Sequence, residues 1–159
     1  MHFFRKANLQ KGQKILIYGA SGSVGTSAVQ LAKHFGAEVT AVCSGRNKTI
    51  VESLGADRVI EYTMEDFRTK CERYDVIFDA VGKITKTSCK YALEKNGKYI
   101  TVSGGNATER IEDLRLLKEI AQDGKYMPVI DRTYPLVQIV EAYTYVDTGH
   151  KTGNVIITL

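Results

Sequence analysis

The chain has 159 residues, of which 43% are apolar and 25% are charged, and these values are typical of one globular domain. It has no apolar run long enough to span a bilayer and no signal-peptide pattern, so we expect neither a membrane protein nor a secreted one. The net charge of +4 comes from 22 basic residues scattered among 18 acidic ones, which does not indicate a nucleic-acid surface. Three widely spaced cysteines favour a cytoplasmic protein without disulfides.

Segments typical of strands and helices alternate through the first two thirds of the chain. Short apolar runs rich in β-branched residues predict five strands, at residues 14–19, 38–43, 58–62, 74–82 and 97–105. Helical periodicity and glycine C-caps predict helices between them, at 24–35, 48–55 and 84–94. Because parallel strands need crossover connections, the order predicts a doubly wound, parallel α/β sheet of the Rossmann type with strand order 3-2-1-4-5.

The last third has a different pattern. Helical spacing predicts helices at 110–123 and 135–146, and two apolar runs predict strands at 127–131 and 154–158. We find no linker or internal repeat, so we expect residues 1–159 to form a single domain with a short C-terminal addition.

The stretch "YGASGSVG" (residues 18–25) joins the first predicted strand to the first predicted helix. Ala20, Gly22 and Gly25 follow the spacing of the dinucleotide fingerprint GxGxxG, with alanine at its first position. Gly22 would let the backbone approach a phosphate, and Gly25 would let the helix pack tightly on the strand. A helix N-terminus at this place favours an anion, so we predict a bound dinucleotide with its pyrophosphate here.

The end of the second predicted strand indicates which dinucleotide is bound. NAD sites usually place a carboxylate there, about 20 residues after the glycines, but this chain has Cys43 or Ser44 at that position, followed by Arg46 and Lys48. A hydroxyl and a guanidinium suit a 2′-phosphate, so we predict NADPH rather than NADH. The alternative is that Arg46 and Lys48 are ordinary exposed charges at a helix start.

The blocks "GQKILIYGASGSVGTSAVQLAKHFGAEVTAVCSGRN", "SLGADRVIEYT", "YDVIFDAVG" and "GKYITVSG" follow one another in this order. Together they resemble the zinc-free medium-chain dehydrogenase/reductases, and within them the quinone oxidoreductase-like branch. The resemblance implies a cofactor site spread over five segments. It places the pyrophosphate at Ala20, Gly22, Ser23, Val24 and Gly25, the 2′-phosphate at Ser44, Arg46 and Lys48, the adenosine beside Tyr62, the ribose and nicotinamide at Val81 and Gly82, and the carboxamide near Ser103 and Gly104. For Tyr62, a place in the core is the alternative.

Two departures from that family affect the expected function. The catalytic, GroES-like domain that precedes the cofactor domain in the family is absent from this sequence. A segment that the family inserts after "YITVSGG", including a strand often used in dimerisation, is also absent. We therefore expect the strands at 127–131 and 154–158 to pair with each other or across a homodimer interface, since unpaired apolar strand edges are a liability.

Other catalytic arrangements receive less support. Tyr91 and Lys95 have the Tyr-x-x-x-Lys spacing of short-chain dehydrogenases, but they precede the fifth predicted strand, whereas those enzymes place the pair after it. His34 lies on the first predicted helix, away from the expected crevice, His150 is in a segment typical of a turn, and His2 is terminal. No Cys, His, Asp and Glu pattern has the spacing of a zinc site. We expect no catalytic residue and no metal in this chain.

The residues and the resemblance together favour the NADP(H)-binding part of an oxidoreductase. Its expected acceptors are quinones, enals and related carbonyl compounds, and the chain alone should show little or no turnover because half of the substrate pocket is missing. The alternative is a stand-alone, non-catalytic NADPH-binding or sensing module. We expect no nucleic-acid or membrane partner.

Overall fold

A computed structural model describes residues 1–105 and 107–159 of the chain. The strands are β1 (Lys14–Tyr18), β2 (Glu38–Cys43), β3 (Arg58–Glu61), β4 (Tyr74–Asp79), β5 (Leu93–Thr101), β6 (Ile130–Pro135) and β7 (Asn154–Thr158). The helices are α1 (His2–Ala7), α2 (Ser23–His34), α3 (Lys48–Ser53), α4 (Ile111–Gln122) and α5 (Ile139–Asp147). Short 3-10 helices lie at Gly45–Asn47, Phe67–Thr69 and Leu136–Gln138. Among the described residues, no helix has both the length and the apolar character needed to cross a membrane.

The main sheet is parallel throughout and has the strand order β3-β2-β1-β4-β5, which confirms the predicted order. β1 is its central strand, with Ile17 opposite Ala41 of β2 on one side and Phe78 of β4 on the other. The side chains of residues 15–17 are completely buried. A continuous apolar run of this kind is expected where both faces of a strand are covered.

The two faces of the sheet are covered differently. Ile15 and Ile17 belong to a core cluster to which α1, α2, α3 and α4 all contribute buried residues. Leu16 points to the opposite face, where it belongs to a smaller cluster with Phe67 and Cys89. That second face is therefore packed by a 3-10 helix and turns rather than by long helices.

The predicted helix at 84–94 is wrong. These residues form a series of turns, and β5 already begins at Leu93. The Ser88 hydroxyl accepts a hydrogen bond from the Thr85 main-chain N–H at 3.1 Å, and the Thr85 hydroxyl accepts one from the Ser88 N–H at 3.1 Å. Ser and Thr side chains that bond the nearby backbone in this way compete with helix formation.

The C-terminal strands form a sheet of their own. β6 and β7 pair in parallel, and the connection between them contains α5. This confirms the first of the two pairings expected from the sequence, although β6 begins at Ile130 and the sequence placed it at 127–131. Just before β7, Gly153 forms an isolated parallel bridge with Gly22, which connects the small sheet to the turn after β1.

Candidate cofactor site

The predicted site lies at the carboxyl ends of the parallel strands. The chain runs from β1 to β2 and β3 on one side and returns to β4 and β5 on the other, so a crevice forms between the turns after β1 and β4. These turns are in close contact: an ideal Cβ on Gly19 would lie 2.6 Å from the Val81 side chain. A Cβ on Gly82, which has φ +71°, would lie 2.2 Å from Ser103 Oγ. The structure thus brings together the predicted residues after β1, β4 and β5.

The turn after β1 leaves main-chain donors free. Gly22 is the N-cap of α2, and the first main-chain bond of the helix runs from Thr26 N–H to Gly22 O at 2.9 Å. The N–H groups of residues 23–25 in the first turn consequently have no acceptor within the helix. A Cβ on Gly22 would meet nothing closer than 3.7 Å, so the surface beside these donors is open to a ligand.

Two predicted residues of this turn have structural roles. Gly25 faces the turn itself, and a Cβ there would lie 2.1 Å from Gly19 O. Ala20 is completely buried, and its N–H donates to Val42 O at 3.0 Å. Ala20 and Gly25 therefore shape the turn from inside, while Gly22, Ser23 and Val24 form its outer surface.

The predicted 2′-phosphate residues lie at the end of β2. Ser44 precedes the 3-10 helix Gly45–Asn47, and Arg46 and Lys48 are exposed. Lys48 Nζ lies 3.8 Å from a carboxylate oxygen of Glu61, the last residue of β3. Glu61 was not predicted to belong to this group because it comes from a different strand. Arg46 is therefore the cation of this group without a carboxylate partner among the described residues.

Tyr62 lies at the end of β3 and is 55% exposed. The alternative place in the core is therefore wrong for this side chain. Together with Tyr18, Phe67, Arg68 and Ile84 it lines a cavity of about 310 Å³. The cavity opens between the ends of β1 and β3, on the same edge of the sheet as the glycine turn.

Asp79 holds the loop after β4. Its carboxylate is completely buried and accepts hydrogen bonds from the N–H groups of Val81, Gly82 and Ile84 at 2.8 to 3.1 Å. The Tyr99 hydroxyl adds a fourth, at 3.3 Å. Asp79 was not among the predicted site residues, yet it fixes the two residues predicted to line the ribose and nicotinamide.

The residues His150–Gly153, here called the C-terminal strap, also belong to the site. Gly153 N–H donates to Ser21 O at 2.8 Å, and the Ser23 hydroxyl donates to Gly153 O at 2.7 Å. Arg46 donates to His150 O at 2.8 Å. The strap therefore lies between the glycine turn and the end of β2. The sequence predicts a turn at His150, and the strap was not part of the predicted site.

The side chain of Asn47 connects the strap to the glycine turn through two hydrogen bonds. Its side-chain amide donates to Ser21 Oγ at 2.9 Å and accepts a hydrogen bond from the Thr152 hydroxyl at 3.1 Å. The side chain is buried, so these bonds are shielded from water and help to fix the strap in place.

Tyr91 and Lys95, the pair of the less favoured short-chain dehydrogenase alternative, are not at the site. Tyr91 lies in the turns before β5, and Lys95 lies within β5, so the two do not share a helix face. Leu93, between them, pairs with Tyr74 at the start of β4. The pair is therefore at the amino-terminal edge of the sheet, opposite the glycine turn.

Neither the histidines nor a metal-binding cluster contributes to the crevice in the described residues. His34 lies at the far end of α2 beside Phe35, and His2 Nδ1 accepts a hydrogen bond from Thr108 N–H at 2.9 Å. His150 is part of the strap, where its main-chain oxygen, not its imidazole, accepts the hydrogen bond from Arg46. Across residues 1–105 and 107–159, no three His, Cys, Asp or Glu side chains are grouped so that they could hold a metal ion.

A parallel sheet with a glycine turn at the point where the strand order reverses defines a Rossmann-type nucleotide-binding domain. Residues 23–142 match the family model of the zinc-binding dehydrogenases, and the chain belongs to this family. The family description refers to zinc, but the described residues provide no ligand set for it.

Similar proteins include several reductases. A 2-methylene-furan-3-one reductase from Solanum lycopersicum is 35% identical, with 96% of this chain and 42% of that protein covered. A chloroplastic NADPH-dependent alkenal/one oxidoreductase from Arabidopsis thaliana is 32% identical with the same coverage. The solved quinone oxidoreductase from Coxiella burnetii superposes with a TM-score of 0.81 at 26% identity, over 98% of this chain and 56% of that one. The chain thus spans about half the length of the relatives that it matches.

Proposed function

We propose that the chain binds NADPH as the cofactor domain of a zinc-independent oxidoreductase. The observation that carries this proposal is the glycine turn after β1, at the point where the strand order reverses. There is no room for a side chain at Gly25, which lies against Gly19 O, whereas the surface at Gly22 is accessible beside the free N–H groups of α2. An anion is the ligand that such a helix start favours.

Each part of the cofactor has a group of residues to hold it. Ser23 and Val24, at the start of α2, would bind the pyrophosphate through their N–H groups. Ser44 and Arg46 would bind the 2′-phosphate, because a guanidinium makes charge-assisted bonds to phosphate oxygens. Lys48 would add positive charge there, reduced by its pairing with Glu61.

The remaining residues surround the two bases of the dinucleotide. Tyr62, beside the cavity between β1 and β3, would contact the adenosine. The ribose and nicotinamide would lie against Val81 and Gly82, which Asp79 holds in place, with Ser103 and Gly104 next to the carboxamide.

The bound nicotinamide would supply a hydride, and the protein would orient it and exclude water. The names of the relatives support an acceptor class: a 2-methylene-furan-3-one reductase, an alkenal/one oxidoreductase and a quinone oxidoreductase homolog. We propose a quinone, an enal or a related carbonyl compound as acceptor. The chain corresponds to only 42% of the first two relatives, so the substrate pocket would be completed by residues outside this chain, which alone should show little turnover.

Calorimetric titration of the chain with NADPH and with NADH tests the proposal. We expect NADPH to bind about tenfold or more tightly, which is the effect of one lost charge-assisted contact. Arg46→Ala should remove this preference without changing NADH binding. Arg115→Ala is the matched control. Arg115 is exposed on α4 and is not among the α4 residues that line a cavity with Ser23 and Val24, so this variant should bind both nucleotides as the wild type does.

The outcomes separate the parts of the proposal. Binding of neither nucleotide by folded wild-type chain would contradict a cofactor role. Equal binding of both would keep the nucleotide site and overturn the NADPH preference.

A further inference from the structure

The carboxylate of Glu61 lies at the turn that is predicted to bind the 2′-phosphate. Glu61 ends β3, and its backbone is paired with that of Cys43 at the end of β2. An ideal Cβ on Gly45 would lie 2.5 Å from Glu61 Oε2. Because Gly45 stands between Ser44 and Arg46 in the chain, the carboxylate lies against the main chain between two of the predicted phosphate ligands.

This carboxylate comes from a strand other than the usual one. Sites that bind NADH usually have a carboxylate at the end of the second strand, where it bonds the ribose 2′-hydroxyl. In this chain that position has Cys43 and Ser44. Glu61 brings a carboxylate to the same turn from β3, because the carboxyl ends of β2 and β3 lie side by side. The site therefore contains cations that suit NADPH and a carboxylate that does not.

The ion pair between Glu61 and Lys48 is weak. Glu61 Oε1 lies 3.8 Å from Lys48 Nζ, which is longer than a hydrogen bond. The Glu61 side chain is 32% exposed and the Lys48 side chain is 47% exposed. Exposed ion pairs of this kind contribute little to stability. Lys48 can therefore leave Glu61 for a more highly charged anion at a small cost in free energy.

The 2′-phosphate of NADPH is such an anion. A phosphate monoester has a charge of about −1.5 to −2 at pH 7, so it attracts Lys48 more strongly than a carboxylate does, and Glu61 repels it. The charge of Glu61 already acts on a neighbour: burial, followed by the charges of Glu61 and Glu52, raises the pKa of the Cys43 thiol to about 11. Two anions at this turn would therefore compete for one lysine.

We infer that Glu61 is a specificity-determining residue that limits the preference for NADPH, because its carboxylate repels the 2′-phosphate and competes with it for Lys48. The inference rests on the proposed cofactor function. NADH has an uncharged hydroxyl at this position, so the charge of Glu61 acts on NADPH alone. Glu61 thus opposes Arg46, and the ratio of the two nucleotide affinities depends on both residues.

The first experiment measures the binding of both nucleotides by calorimetry with variants of the full chain. Glu61→Gln should strengthen NADPH binding by about five- to tenfold, since an exposed pair of single charges is worth up to about fivefold and the phosphate has about two charges. Glutamine has the same size and keeps an acceptor oxygen for the ribose 2′-hydroxyl, so NADH affinity should stay within about twofold of the wild-type value. Glu119→Gln, which removes one negative charge from an exposed position on α4, is the matched control and should bind both nucleotides as the wild type does.

The second experiment tests the competition for Lys48 with a double-mutant cycle. If Lys48 exchanges Glu61 for the phosphate on binding, the loss of its carboxylate partner offsets part of its attraction to the phosphate. Lys48→Met should therefore weaken NADPH binding by about twofold in the wild-type background and by about fivefold or more in the Glu61→Gln background. In both backgrounds it should leave NADH binding unchanged.

The outcomes distinguish this inference from the proposed function. Unchanged or weaker NADPH binding by Glu61→Gln, with NADPH bound by the wild type, would overturn the inference and leave the proposed function standing. An equal gain for NADPH and NADH would place the effect of Glu61 at a part common to both nucleotides and overturn the assignment to the 2′-phosphate. An equal loss from Lys48→Met in both backgrounds would overturn the competition for Lys48. Failure of the wild type to bind any nucleotide would overturn the inference and the proposed function together.

Discussion

Gly25 lies directly against the main chain of Gly19: a Cβ on Gly25 would stand 2.1 Å from the carbonyl oxygen of Gly19. Real side chains do not approach this closely, so the backbone would have to move. Gly22, three residues earlier, has no such neighbour: a Cβ there would lie 3.7 Å from the nearest atom, Gly19 O. Its φ of −78° is one that any residue adopts. Two glycines of one motif therefore have different reasons to be glycine.

This difference predicts opposite effects for the two alanine variants. Gly25→Ala should lower the free energy of unfolding by about 1–3 kcal/mol, as for other overpacked positions. Gly22→Ala should change it by less than about 0.5 kcal/mol while weakening NADPH binding, because its methyl group covers the open surface beside the α2 donors. Urea unfolding and calorimetry measure the two effects, and equal destabilisation by both variants would contradict the prediction.

The buried carboxylate of Asp79 should be essential to the loop that it holds. In Asp79→Asn, an amide NH₂ replaces one acceptor oxygen and faces N–H donors that come from Val81, Gly82 and Ile84. We expect the free energy of unfolding to fall by about 1–3 kcal/mol, the cost of leaving a buried donor unsatisfied. Denaturant unfolding measures this loss. Asp147→Asn, an exposed change at the end of α5, is the control and should be nearly neutral; a neutral Asp79→Asn would show that the loop does not depend on these bonds.

The three cysteines should differ in reactivity. Burial, together with Glu61 and Glu52, raises the pKa of Cys43 to about 11, and burial also raises the pKa of Cys89. Cys71 is exposed. Because the thiolate is the reactive form, an aromatic disulfide reagent at pH 8 should modify one thiol rapidly in the native chain and all three after denaturation. Cys71→Ser should remove the fast reaction, and a fast reaction that persists in this variant would contradict the assignment.

Acidic pH should loosen the C-terminal strap, because protonation of Asp131 weakens its hydrogen bond with the Thr152 N–H. Burial by itself would raise the pKa of Asp131, but hydrogen bonds from Tyr145 and Thr152, together with the positive charges of Arg132 and Lys151, outweigh it and hold the pKa below its usual value. A carboxylate with a lowered pKa contributes stability that is present above its unfolded value and is lost as the pH falls through the folded value. We therefore expect the Gly153 amide to exchange faster, relative to a β1 amide, once the pH drops below about 4.

Asp131→Asn provides the comparison for this pH effect. Its strap should be loosened already at neutral pH, and the acid-dependent increase in relative exchange should be reduced. An undiminished acid response in the variant would assign the effect to another carboxylate.

The main sheet could be predicted because its signals are local. Ile15, Leu16 and Ile17 form an apolar run before a glycine turn, and the alternation of such runs with helical patterns fixes a parallel order. The same local approach failed at 84–94, where apolar spacing indicated a helix but the Thr85 and Ser88 side chains bond the backbone in turns.

The strap and the Lys48–Glu61 pair could not be predicted for a different reason. Glu61 meets Lys48 only because β2 and β3 are neighbours, and Lys151 meets Ser23 across 128 positions of sequence. Neither contact leaves a periodic pattern in the chain. The one signal for the strap was the glycine-bounded segment "GHKTG" with its lysine, which reads equally well as an exposed turn.

The bond between Ser23 and Gly153 spans 130 residues, which has a consequence for the newly made protein. On the ribosome, the glycine turn is synthesised long before Gly153 is added, so the turn remains unbraced while the five-stranded sheet is completed. Contacts between distant residues also form late in folding. We expect a nascent chain stalled before residue 150 to contain the folded sheet, detected by protection from protease, yet to retain NADPH poorly. Competence to hold the cofactor would then arise only once residue 153 has been added, after the sheet itself has folded.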